Sequence, residues 1–444
     1  MRSGRSKALC VLAVCGFLTL AAHARADVVT DWNDILYRVS LIGGASPQNA
    51  SRVAAMMQSA VFDALNGIER RYTPVHVAPP DSCLGASRNA AVVQAAYEIL
   101  SRVYGATATA ANQQPTLDGR YTSSMADIRS RERGASVEKG IACGHDVATA
   151  IWAWRSADGF NTPLPPFVGV TAPGQWRSTP TDPYPGTPQP MASLPYAAMT
   201  TWVVPDHAFF QILPGPPALG SPQYLRDLAE TRIMGSRMST ARTADQTEGA
   251  WLWAQGTAPY LWNAVARQLI AARSEDRGQD SDRNDWRDES ERRRGDGDGL
   301  LETARILAKL HVAMADAVIG CWDQKVKYNF WRPITAIREG GDPAWTPLFA
   351  TPAHQDYPSG HSCISGAATA ILADEFGEST HFTLRSDVLV GVPRTFRSFS
   401  EALEDVKDAR VFAGIHFRTA CDDGTALGKA VAQYVLDSAF QSQR

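Results

Sequence analysis

The sequence has little imbalance of charge. Its 43 Lys and Arg stand against 46 Asp and Glu, for a net charge of −3, and that balance gives no basis for a nucleic-acid partner. Cysteine is scarce: there are seven, none at C-x-x-C spacing, which argues against a cysteine-ligated zinc site. Alternating Val/Ile/Thr/Tyr runs bounded by turn residues are also scarce, which argues against a sheet-based fold. Past the N-terminal segment no apolar run is long enough to cross a bilayer, so stable membrane embedding is not expected. A 44% hydrophobic share over 444 residues excludes a disordered or fibrous chain and allows a large core.

Residues 1–26 read as a secretory signal. Arg2, Arg5 and Lys7 precede an apolar run from Ala8 to about Ala22, and Ala24-Arg25-Ala26 offers small residues for cleavage before Asp27. The competing reading is an uncleaved anchor, for which the run is short. Cleavage predicts a secreted or periplasmic product that keeps Cys83, Cys143, Cys321, Cys363 and Cys421. An odd count in an oxidising compartment leaves at least one thiol unpaired or bonded between molecules. Buried small hydrophobes with one or two disulfides are the expectation.

Residues 27–444 read as a single large α-helical domain. Helical spacing of apolar residues marks Ser46 to Ile68, about Asn89 to Tyr104, and about Thr240 to Ala272. Between Pro163 and Pro222 lie 15 of the 27 prolines, which prevents regular helix over most of that span. Gln175-Trp176-Arg177, Trp202 and Phe209-Phe210 punctuate it, so a long irregular wrap lying on the helices of 27–272 is expected rather than a free linker. Residues 273–299 alternate Asp, Glu and Arg and close on Gly295-Asp296-Gly297-Asp298-Gly299. They read as a solvated surface insertion, with weak cation binding by the Asp-Gly repeat as a minor alternative. Residues 300–444 form the remaining helical bundle.

That last part carries the chemistry. From near Leu300 an apolar line runs through Leu307, Leu310, Met314, Val318 and Cys321, and its continuation meets Lys325 and then Arg332. Two cations on a core-facing stripe ask for an anion, unless the stripe frays and both reach water; Pro333 supports a break there. Next, Pro358-Ser359-Gly360-His361 precedes an apolar stretch from Ile364 to Leu372. Such a turn presents free backbone N–H groups and the positive end of a helix, with Ser359 as donor and His361 as proton carrier. Taken alone it is also an ordinary Ser cap with a surface histidine. Further on, Leu403, Val406, Arg410 and Ala413 share a stripe, and His416 lies at its edge if the helix continues. Together Lys325, Arg332, Arg410, Ser359, Gly360 and two histidines suit an oxyanion bearing two or three charges.

Lys325-x6-Arg332-Pro333, Pro358-Ser359-Gly360-His361 and Arg410-x5-His416 resemble, in order and spacing, the three-part signature of the superfamily of vanadium-dependent haloperoxidases and type-2 phosphatidic acid phosphatases. Weaker likeness to its soluble bacterial haloperoxidase-like members extends through the Arg52–Asn66 stretch and Ala315-Asp316-Ala317. The resemblance implies an all-α helical bundle. It implies that His416 is the axial vanadate ligand in a peroxidase, or the phosphorylated nucleophile in a phosphatase. His361 is then the acid–base group, and Lys325, Arg332, Ser359, Gly360 and Arg410 hold the equatorial oxygens, Lys325 also polarising bound peroxide. Two departures stand out: Ala409 replaces the usual Ser before the third-motif arginine, and Ala420 replaces a common Asp four residues past the histidine.

The motifs are shared by both chemistries. Charges on the motif helices, among them Glu302, Arg305, Lys309, Glu404, Asp405 and Lys407, exclude the membrane-embedded phosphatase branch. His354, five residues before Ser359, stands where bromoperoxidase members resemble this chain in carrying histidine, and could position halide or move protons, or merely cap the turn. Trp322 gives the pocket an apolar side. The expectation is therefore a vanadate-dependent haloperoxidase using hydrogen peroxide, halide (bromide before chloride) and a small organic acceptor. The alternative is a soluble acid phosphatase that binds phosphate and cleaves a phosphate ester through His416.

Overall fold

The computed structural model describes residues 27–105, 112–179, 189–255, 258–283, 289–385, 389 and 391–443, with side chains throughout except at 255 and 276–298. The signal-like segment 1–26 and the side chains of the Asp-Gly repeat lie outside the described residues. Short polar caps start many of the helices. The Asp27 carboxylate accepts from the Thr30 N–H to open α1 (Val28–Ile42), Ser46 accepts from Asn49 to open α2 (Pro47–Glu69), and Ser87 accepts from Ala90 to open α3 (Arg88–Tyr104). Each satisfies one of the donors a helix leaves unpaired at its start. α4 (Gln114–Arg131) and α5 (Gly134–Ser156) complete a first bundle, in which α2, α3 and α5 pack on one another.

Over residues 163–179 and 189–222 the proline-rich span is an irregular wrap packed on the helices, as its aromatics predict. It holds short 3-10 turns at Leu194–Ala198 and His207–Phe210 and buries Trp176, Trp202 and Phe210. α6 (Pro222–Met234) follows, then α7 (Ala244–Gln255) and α8 (Ala258–Arg283). The single stretch expected over 240–272 is thus divided between α7 and α8. The backbone of the charged segment continues in helix to Arg283 and resumes at Glu289.

The second bundle consists of α9 (Glu289–Tyr328), the short α10 (Pro333–Glu339), α11 (Gly360–Phe376), α12 (Phe399–Phe412) and α13 (Arg418–Ser438). A two-stranded ribbon pairs Phe382–Leu384 with Arg394–Phe396. α9 joins the two halves, packing on α2 on one side and on α11 and α13 on the other. Its buried Leu307, Leu310, Met314, Val318 and Trp322 line the shared core, and full burial of each large apolar side chain contributes roughly 1.5–3 kcal/mol.

Two helix ends differ from the sequence expectation. α9 stops at Tyr328, because Asn329 turns into the left-handed region with φ 46°. Arg332 therefore is not on the same helix as Lys325; its backbone caps α10 ahead of Pro333. Likewise α12 ends at Phe412 and Gly414 takes φ 76°, so His416 stands on the α12–α13 connection. A Cβ on Gly414 would come within 2.3 Å of the Gly235 carbonyl, so only glycine permits this crossing.

Cys83 and Cys143 form a disulfide between the 3-10 turn Asp81–Cys83, ahead of α3, and α5, while Cys321, Cys363 and Cys421 are buried thiols. Both forms were expected of the mature cysteines. Among the described residues no helix is long and apolar enough to cross a membrane.

Candidate oxyanion site between the motif loops

Three connections converge beside the start of α11: 329–332 after α9, 352–359 before α11, and 413–417 before α13. Lys325, on the last turn of α9, is fully buried and donates to the carbonyls of Gln355 (2.7 Å), Asp356 (3.2 Å) and Pro358 (2.5 Å). All three ammonium protons are thereby used to hold the loop before α11. Burial, with Arg332 nearby, brings its pKa down to about 8.

Arg332 ties the other two connections together. Its Nε donates to the His354 carbonyl (2.7 Å) and Nη1 to the Ile415 carbonyl (2.6 Å), Nη1 also lies 3.1 Å from Nε2 and 3.5 Å from Nδ1 of His416, and Nη2 lies 3.0 Å from His354 Nδ1. Burial lowers this guanidinium, and that of Arg410, to about 10. Arg410 Nη1 donates to the Trp253 carbonyl (3.2 Å), but its Nε is buried without a partner. A buried guanidinium N–H with no acceptor is costly, and an anion is the group that would relieve it.

The histidines are all held as neutral imidazoles. Burial pushes His361, His416 and His354 well below the ordinary value, and the neighbouring cations push the same way. His361 makes a hydrogen bond to the Trp253 carbonyl while its Nε2 is buried without a partner. Its N–H is therefore on Nδ1 and its lone pair is free on Nε2. The Trp253 carbonyl thus links Arg410 to His361, and the Trp253 indole N–H is fixed by Asp405 at 2.8 Å.

Ser359 is buried and caps α11, its hydroxyl accepting from the Ser362 N–H, while its own N–H donates to the Ala420 carbonyl (2.8 Å). The ordinary cap and the candidate donor are the same residue. Gly360 opens the helix, and a Cβ there would sit 3.3 Å from the Trp322 ring. His354 packs on that ring with centroids 5.2 Å apart. The wrap closes this side, because the Trp322 indole donates to the Ala192 carbonyl and the Ala192 N–H to that of Ala353.

Sequence reasoning missed one charged residue here. Asp356 is buried, with Oδ1 3.0 Å from His416 Nδ1, and burial raises its pKa to about 7 against the pull of Arg332 and Lys325. It lies inside the second motif's loop, but nothing in its local spacing points to a histidine so far along the chain. Trp253 was equally hidden, since it acts through its carbonyl.

Three buried cations against one carboxylate leave the cluster with excess positive charge, and within it the Arg410 Nε–H and His361 Nε2 are buried without partners. A compact oxyanion such as vanadate or phosphate fits that donor set. Fold and site together define an all-α protein with a buried cationic cluster between loops of its second bundle.

Comparison with known proteins agrees. Residues 305–443 match the family model of the VCPO second helical-bundle domain. A vanadium chloroperoxidase of Curvularia inaequalis is 29% identical over a match covering 29% of this chain and 22% of that protein. The match thus spans less than a quarter of the curated relative's length. Among solved structures, a bacterial vanadium-dependent iodoperoxidase superposes with TM-score 0.74 at 22% identity, covering 93% of this chain and 97% of that one. An apo-type bacterial vanadium-dependent chloroperoxidase gives 0.65 at 15% identity, covering 88% and 94%. Residues 305–443 are thus similar to the second helical bundle of that family, and the helical fold of the chain is that of the bacterial vanadium-dependent haloperoxidase structures.

Proposed function

We propose that the protein is a vanadate-dependent haloperoxidase that oxidises halide, bromide in preference to chloride, with hydrogen peroxide to hypohalous acid, which then halogenates a small organic acceptor. Vanadate, when bound, supplies a Lewis-acid centre that activates peroxide without changing its own oxidation state. His416 would hold it through Nε2, with Arg332, Arg410, the Ser359 hydroxyl and the Gly360 N–H around its oxygens. Lys325 would join them by releasing one of its carbonyls. The signal-like N-terminus and the Cys83–Cys143 disulfide support export to an oxidising compartment, either secreted or periplasmic.

The observation that carries this reading is His361. Its Nε2 is buried without a partner, and an imidazole nitrogen there can take a proton from incoming peroxide. His354, placed between Trp322 and Arg332, supports a halide position beside an apolar wall. The test is a bromination assay of a phenolic dye by phosphate-stripped protein, with peroxide and with or without orthovanadate, repeated with chloride and iodide. The same preparation is offered a chromogenic phosphate ester. Vanadate-dependent bromination is expected; ester hydrolysis inhibited by vanadate, with no halogenation, would reverse the proposal in favour of the phosphatase.

A further inference from the structure

We infer that Asp356 is the positioning residue for His416, fixing the imidazole as its Nδ1–H tautomer and aiming the Nε2 lone pair into the cation cluster. The inference deepens the oxyanion reading and rests on it. Asp356 Oδ1 stands 3.0 Å from His416 Nδ1, whereas Arg332 Nη1 lies 3.1 Å from Nε2 and 3.5 Å from Nδ1 and so does not choose between the two nitrogens. A neutral imidazole carries one N–H, and a carboxylate beside Nδ1 favours the proton there, which leaves the lone pair on Nε2. The opposite tautomer would leave the carboxylate facing a lone pair.

The carboxylate is itself held in place. The Asp356 N–H donates to the Phe330 carbonyl (3.0 Å), its carbonyl accepts from Lys325, and Oδ1 also accepts from the Phe417 N–H at 3.4 Å. Lys325 thus fixes the loop that fixes the histidine. Oδ2 is buried without a partner, so this is not a carboxylate whose capacity is spent on tying the fold together. Carboxylates that orient a metal-ligating histidine in this way raise its basicity and fix its direction.

The test uses the full chain, stripped of phosphate. ¹⁵N-histidine spectra report the His416 tautomer, its signals assigned by their loss in His416→Ala, and calorimetry with orthovanadate reports affinity. Wild type should show His416 protonated at Nδ1. Asp356→Ala should lose that tautomer and raise the orthovanadate Kd about 10–100-fold. Asp356→Asn, whose carboxamide oxygen can still accept the N–H, should keep the tautomer and lose less affinity. The near-isosteric Asn variant, compared with wild type, carries the test if the Ala variant does not fold. A folded Asp356→Ala protein with the wild-type tautomer and affinity would overturn the inference, as would an Asn variant in which the proton sits on Nε2. Should wild type bind neither orthovanadate nor phosphate, the pocket reading fails, while the spectra still decide the orientation of His416.

Discussion

The two bundles build the same scaffold, and the second carries the buried cationic cluster. In the first, Ser87 caps α3 and gives its N–H to the Ser136 carbonyl at 2.8 Å; in the second, Ser359 caps α11 and gives its N–H to the Ala420 carbonyl at 2.8 Å. Gly140 and Gly144 let α5 approach α3, where a Cβ would come within 2.5 Å of the Ser87 and Ala91 carbonyls. Gly424 and Gly428 let α13 approach α11, with 2.8 Å to Ser359 and 2.0 Å to Cys363. Even the loop fastenings agree. Asp63 on α2 takes one backbone N–H on Oδ1 and two on Oδ2, from Val75, His76 and Val77, and Asp316 on α9 does the same for Trp202, Val203 and Val204. With the two serines and the two carbonyls as register, Arg88 stands for Gly360, Asn89 for His361 and Glu132 for His416. Asn89 donates to Glu132 at 2.8 Å, and Arg88 pairs with Glu69. The first bundle has thus closed the spot with its own ion pair and amide. The lesson is that the scaffold holds a helix start open, and a handful of side chains decides whether an anion can enter.

Writing the first bundle's residues into the second breaks the difference most severely. His416→Glu should abolish orthovanadate binding, since it places a carboxylate where the cations need an imidazole, and turnover should fall more than about 10³-fold. Calorimetry and the bromination assay read the two effects, and substantial retained turnover would remove His416 from the site. His361→Asn should lower the rate about 10²–10⁴-fold while leaving orthovanadate affinity within a few-fold, because its part is proton transfer. Loss of binding instead would make His361 a holder of the anion.

Lys325 sharpens the comparison through pH. Its pKa is brought down to about 8 from an ordinary 10.5, so its charge is present below that value and lost above it. Orthovanadate affinity should therefore fall between pH 7 and 9. Lys325→Met should bind about 10–100-fold more weakly at pH 7, the contribution of a charged hydrogen bond, and lose that step. A step of the same size in the Met variant would assign the titration elsewhere.

Much of this site is legible in the sequence. Lys325, Arg332 and Arg410 announce themselves because cations on apolar stripes need a reason, and the serine–glycine turn announces a helix start. The helix ends are not legible in the same way. Asn329 enters the left-handed region without being glycine, and the need for Gly414 arises from Gly235, far off in the chain. Asp356 escapes notice because its partner is supplied by the fold. The proline-rich wrap is readable from its aromatics, but its fastening to Asp316 is not, since backbone N–H groups leave no mark on a sequence.

The disulfide belongs to the first bundle alone. Replacing Cys83 and Cys143 by Ser should cost about 2–4 kcal/mol of stability in a denaturant titration and leave orthovanadate affinity unchanged, if the bundles divide stability and chemistry as described. A change in affinity would show that the first bundle reaches the pocket through the α2–α9 contact.

The finest distinction concerns the paired fastenings. Asn at position 63 or 316 keeps one accepting oxygen and gives up acceptance at the other, and each loss should cost about 1–3 kcal/mol. The consequences should differ. Asp63 fastens residues 75–77, whereas Asp316 fastens 202–204 and also faces Arg155, whose guanidinium is fully buried and paired with Asp158. The wrap that Asp316 anchors continues to Ala192, which accepts from Trp322 and donates to Ala353 beside His354. Asp316→Asn should therefore be the more destabilising of the two and should weaken orthovanadate binding by a few-fold, while Asp63→Asn leaves binding untouched. Equal binding in both variants would mean that the wrap's outer contacts hold Trp322 and His354 in place without help from α9.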